Sequence, residues 1–65
     1  MIEFKDIEAG KSYACKYQGL NEERLGIIKQ RDMKNNLLII LDSETKDELI
    51  VNSSDVWDID VIEWV

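Results

Sequence analysis

Residues 24–41 run apolar, then polar, then apolar again, with Asn35-Asn36 close to the point of reversal. Two apolar stretches separated by such a polar break predict a β-hairpin. Upstream, residues 12–17 alternate cleanly: Tyr13, Cys15 and Tyr17 share one face, while Ser12, Ala14 and Lys16 share the other. That period of two predicts a half-buried strand with both tyrosines and the cysteine inside. Downstream, Leu49, Ile50 and Val51 mark a short strand over 48–52. A last strand alternates Trp57, Ile59 and Val61 against Asp58 and Asp60, and its phase slips at Val61-Ile62, where Ile62 and Trp64 take over on the other face. The slip calls for a bulge or a change of sheet at that point.

The segments between the strands carry turn chemistry. Residues 6–11 form a turn around Gly10, which is free to adopt positive φ. Residues 18–23 form a loop broken by Gly19 and Asn21, with Leu20 as a lid over one end of the core. Gly26 inside a strand pattern points to a bulge or sharp bend of the kind a small barrel needs to close. Residues 37–41 are apolar at every position. A central strand covered on both faces, or one with a face in an interface, reads that way. Asn52-Ser53-Ser54-Asp55 predicts a single 3-10 turn capped by Asn52 or Ser53 before the last strand. Proline is absent, in keeping with strands that all need their backbone donors. Trp57 is placed to cap one end of the core. The expectation is an all-β chain: a small five-stranded barrel with one 3-10 turn before the last strand, forming one domain over residues 1–65.

The size sharpens this picture. With 65 residues, one cysteine and no histidine, the chain has neither an internal disulfide nor a Cys/His zinc site to brace it. Apolar packing must hold it together, alone or shared with a second subunit. Cys15 reads as a small buried apolar residue, and a lone cysteine suits a reducing compartment. The charged opening Met1-Ile2-Glu3-Phe4-Lys5-Asp6 lacks the apolar run of a signal peptide, and no stretch is long and apolar enough to cross a bilayer. A cytoplasmic location is expected.

Turn, strand, loop, long hairpin, short strand, helical turn and last strand follow one another in an order that resembles the SH3-like small β-barrel of the Tudor/KOW type. Gly10-Lys11-Ser12-Tyr13-Ala14-Cys15-Lys16-Tyr17 resembles its opening strand. Gly26-Ile27-Ile28, followed by Leu38-Ile39-Ile40-Leu41-Asp42, resembles its central hairpin. The resemblance implies the fold and not the ligands. Where Tudor domains hold a methylated cation in an aromatic cage, this chain has Ile39, Leu41 and Leu49. Where KOW domains offer a basic surface to RNA, this chain is acidic.

Charge decides among functions. The net charge of −6 is uneven: residues 1–41 are near neutral, whereas residues 42–65 hold eight acidic side chains against Lys46 alone. Phosphate contacts dominate nucleic-acid affinity, so an acidic chain is not expected to bind nucleic acid. Asp55, Asp58, Asp60 and Glu63 lie close together, but without the spacing and central glycine of a calcium loop they read as a solvated strand face or a contact for a basic partner. No nucleophile motif, phosphate loop or histidine is present, so neither catalysis nor a cofactor or metal is expected. Trp64, in an apolar terminal stretch, is a candidate contact residue. That stretch either completes the barrel or pairs with the sheet edge of a partner or of a second copy in a homodimer.

The sequence thus points to a non-catalytic protein-binding module, an adaptor or inhibitor of the sort found among bacterial or phage accessory proteins. Its partner is expected to be basic and its contacts to be Trp64, Asp55, Asp58, Asp60 and Glu63. One alternative is a DNA mimic that inhibits a DNA-binding protein. The other is an RNA-binding small barrel using Lys11, Lys16, Arg24, Lys29, Arg31 and Lys34.

Overall fold

In the computed structural model, which describes residues 2–62, five strands follow the alternation of the sequence: β1 (Ser12–Gln18), β2 (Glu23–Asp32), β3 (Leu37–Asp42), β4 (Glu48–Asn52) and β5 (Val56–Ile62). Short 3-10 turns lie at Phe4–Asp6 and Ser53–Asp55, and no α-helix occurs among the described residues. The strands make one antiparallel sheet in the order β4-β3-β2-β1-β5. Consecutive hairpins explain four of the five positions. Only β5 returns across the fold, to pair with β1.

The sheet does not close into the barrel expected from the sequence. Among the described residues no ladder joins β4 to β5, so the sheet there is open and compact rather than closed. The 3-10 turn that links β4 to β5 spans the gap, with Asn52 Oδ1 accepting from the Ser54 backbone N–H at 3.0 Å as its cap.

The inner face of the sheet collects Tyr13, Cys15, Tyr17, Ile28, Leu38, Ile40, Val56 and Ile59, with Ile7 of the lead-in segment laid over it. Ile2, Phe4 and Val51 pack against this cluster. Ile2 is tied in by its backbone N–H, which donates to the Ile59 carbonyl at 2.9 Å. The Tyr13 hydroxyl accepts from the Glu8 backbone N–H at 2.8 Å and so holds the lead-in against the sheet. Leu38 and Ile40 are wholly buried, and each such side chain contributes about 1.5–3 kcal/mol by leaving water.

Gly26 is neither bulged nor sharply bent. It pairs regularly with Cys15 on one side and Asp42 on the other. Its lack of a side chain serves close packing instead: a Cβ there would collide with Ile40 Cγ2 and crowd the Leu41 carbonyl at 3.1 Å and Tyr17 Cε1 at 3.2 Å. The bulge in β2 lies three residues on. The register passes from Ile28↔Ile40 to Gln30↔Ile39 and leaves Lys29 as the extra residue. A second irregularity lies in β5, between Ala14↔Asp60 and Lys16↔Trp57, where Asp58 adopts φ 55°. The expected slip at Val61-Ile62 therefore falls three residues earlier, and both Val61 and Ile62 stay in register with β1. The bulge turns Val56 and Ile59 inward and leaves Trp57 37% exposed, so Trp57 does not cap the core. Leu20, expected as a lid, points fully into solvent.

Candidate protein-binding surface

In an antiparallel ladder, residues directly opposite one another share a face. One row across the outer face therefore reads Glu48, Leu41, Ile27, Ala14, Asp60. A second row reads Ile50, Ile39, Gln30, and a third reads Leu25, Lys16, Trp57. The centre of this face is apolar. Ile50 is 72% exposed and Leu25 58%, while Ile27, Ile39 and Leu41 are half-buried between them. The run at 37–41 is apolar at every position because β3 is interior to the sheet, with Leu38 and Ile40 in the core and Leu37, Ile39 and Leu41 on this outer side.

Acidic side chains surround the apolar centre. Glu23, Asp32, Glu48 and Asp60 share the face, and Asp58 stands at the β5 bulge beside it. The one cation in the three rows, Lys16, is engaged by Asp58 at 3.2 Å and by Glu23 at 3.7 Å. These carboxylates and their hydrogen bonds raise its affinity for the proton. The surface therefore combines greasy contact area with a negative border.

Of the contacts expected from sequence, Asp58 and Asp60 lie in β5 at this border. Asp55 is exposed in the 3-10 turn before it. Glu63 and Trp64 lie outside the described residues. Ile50, Leu25 and Ile27 were not foreseen as contacts. The signal that could have found them is the pair of unbroken apolar stretches, Ile27-Ile28 and residues 37–41, since a strand that is apolar on successive residues presents apolar area on both sides.

Asp42 is the other residue that sequence reasoning missed. It is 1% exposed, at the inner end of β3. Its carboxylate accepts from Arg24 Nε at 2.7 Å and Nη2 at 3.2 Å, and from the backbone N–H groups of Glu44 and Thr45 at 2.8 Å each. It also accepts from the Tyr17 hydroxyl. Arg24, then Tyr17 and the backbone donors, hold the Asp42 carboxyl well below the usual carboxylate range. Burial, followed by the bond to Asp42, raises the Tyr17 phenol. Five donors on one carboxylate leave it no proton to give and no lone pair aimed at solvent. This arrangement locks the β3–β4 turn onto β1 and β2.

No protein-family model, curated protein or solved structure matches this chain. No group of three or more histidine, cysteine or acidic side chains placed to hold a metal occurs among the described residues. No helix among them is long and apolar enough to cross a membrane.

Proposed function

We propose that this chain is a non-catalytic protein-binding module that docks through the outer face of its sheet onto a partner with an apolar centre and a basic border. The observation that carries this reading is the exposure of Ile50 and Leu25 on a face whose other central residues are also aliphatic. Contiguous apolar area of this kind on a small domain marks a contact surface. The border supplies the choice of partner: Glu23, Asp32, Glu48, Asp58 and Asp60 attract lysine and arginine and repel an acidic competitor. The same border disfavours face-to-face pairing of two copies, because like charges would meet around the whole rim. The order of elements supports kinship with the SH3-like small barrels.

Affinity capture from a bacterial lysate, with wild type and Ile50→Lys side by side at low and moderate salt, tests the reading. Ile50 is exposed on an edge strand, so the substitution leaves the core alone while it breaks the apolar centre and offsets the border charge. A protein retained by wild type and released by Ile50→Lys, with retention falling as salt rises, supports the proposal. Equal retention by both variants, or none by either, ends it.

A further inference from the structure

The bulge in β2 builds a second feature, on the opposite face of that strand from Leu25 and Ile27. Arg31 pairs with Leu38, so the extra residue at Lys29 rotates the end of β2 and places Arg31 on the core side. There Arg31 and Lys29 meet the lead-in segment 7–11 across a groove of about 380 Å³. Ile7 and Ile28, both buried, form part of its lining, and Met33 lies at its margin.

Three cations line this groove in a chain whose net charge is −6. Lys11 is held by Glu8 at 2.5 Å. Arg31 Nε is shut off from solvent without a hydrogen-bond partner, the one such side-chain atom among the described residues. A guanidinium presents its donors as a planar fork that fits the paired oxygens of a carboxylate or phosphate. A small concave site with an apolar lining and a few convergent polar groups is the usual form of a small-molecule pocket.

We propose that this groove binds a small ligand made of an oxyanion on an apolar body, with Arg31 and Lys29 pairing the oxyanion and Ile7, Ile28 and Met33 receiving the body. Turning the Arg31 fork toward the ligand gives its Nε the acceptor it lacks. Lys29, freed from the ladder by the bulge, closes on the anion from the same strand, two residues before Arg31.

Two-dimensional amide NMR on the labelled chain tests this, with phenyl phosphate, benzoate and inorganic phosphate as probes. Saturable shifts confined to residues 7–11 and 28–33 are expected with phenyl phosphate or benzoate, and the tighter of the two identifies the anion. Inorganic phosphate is expected to bind at least about fivefold more weakly, because it lacks the apolar body. Arg31→Gln should weaken binding about tenfold with the remaining spectrum unchanged, and Arg31→Lys should restore part of it. The proposal fails if none of the three probes saturates below about 20 mM, or if Arg31→Gln titrates as wild type. It also fails if a single-stranded RNA oligonucleotide shifts the same amides more strongly than phenyl phosphate, since the groove would then belong to a nucleic-acid path.

Discussion

Replacing Gly26 by alanine sets two effects of opposite sign against each other. Alanine restricts the unfolded chain, which favours the native state by about 0.4–1 kcal/mol where the native backbone accepts it. Gly26 lies in regular strand geometry, so that gain is available. Against it stands the space. The new Cβ would collide with Ile40 Cγ2, the branch of a wholly buried and rotationally stiff side chain, and would press on the Leu41 carbonyl and the Tyr17 ring. Overpacking of this kind costs about 1–3 kcal/mol. The core should win, with a net loss of about 1–2 kcal/mol. For a domain of this size that lowers the melting temperature by about 4–16 °C. It is also a large share of a total stability on the order of 3–10 kcal/mol. Urea unfolding followed by tryptophan fluorescence and circular dichroism measures it. The cause is isolated by Ile40→Leu, which removes the offending branch at constant volume. In a double-mutant cycle, Gly26→Ala with Ile40→Leu should be less damaging than the two single changes added together, by about 0.5–2 kcal/mol. If Gly26→Ala is neutral or stabilising, or if the two changes simply add, the packing argument around Gly26 is wrong.

Further outcomes are expected at Asp42, Cys15 and the two positive-φ turn residues Lys46 and Asn36. The Asp42 carboxyl is depressed below its ordinary value of 3.8, so its stabilisation is fully present above that pH and is lost as pH falls further. A urea midpoint that stays level between about pH 5 and pH 2 would refute this. The Cys15 thiol is pushed up by burial from 9.0 to about 11, so its protonated form stabilises the fold below pH 9 and that contribution disappears as pH rises toward 11. Tyr17 acts in the same direction, so Cys15→Ala should flatten only part of the alkaline decline. Cys15 should also react with a disulfide reagent at neutral pH no faster than the protein opens. Lys46 holds φ 66° in the exposed β3–β4 turn, so Lys46→Gly should raise stability by about 0.5–1 kcal/mol in the same urea assay. Asn36→Gly, at φ 57°, should gain less, because asparagine tolerates that conformation.

The strands were legible because their apolar residues repeat at every second position, as in Tyr13, Cys15 and Tyr17, all buried as expected. A cap at Asn52 or Ser53 was legible because its side-chain chemistry is local, and the structure gives it to Asn52. The positions of the bulges were not legible. An extra residue in one strand is defined by its partner strand, and nothing in the order of residues around Lys29 or Asp58 names that partner. Gly26 was misread for the same reason, since what it makes room for, Ile40, comes from the neighbouring strand. Asp42 was hidden by the polar residues that follow it, although Leu38, Ile40 and Asp42 keep a strict period of two that continues the buried side of β3. The candidate surface was half legible. The apolar run at 37–41 announced a second greasy face, but its contributions from Leu25 and Ile50 emerge only when the registers are known. Of the acidic contacts, Asp58 and Asp60 lie beside it, and Asp55 is exposed in the turn before β5.

The open order of the sheet also sets a sequence of assembly. β1 to β4 are joined by short connections, and each hairpin can zip from its own turn on a microsecond scale. β5 has no neighbour among the strands adjacent to it in the chain. It must wait for β1 and then close a loop that contains the other three, at a cost in chain entropy that the hairpins avoid. The meander is therefore expected to nucleate and β5 to dock onto it afterwards; native-state hydrogen exchange checks this, with the amides that join β5 to β1 expected to exchange before those between β2 and β3.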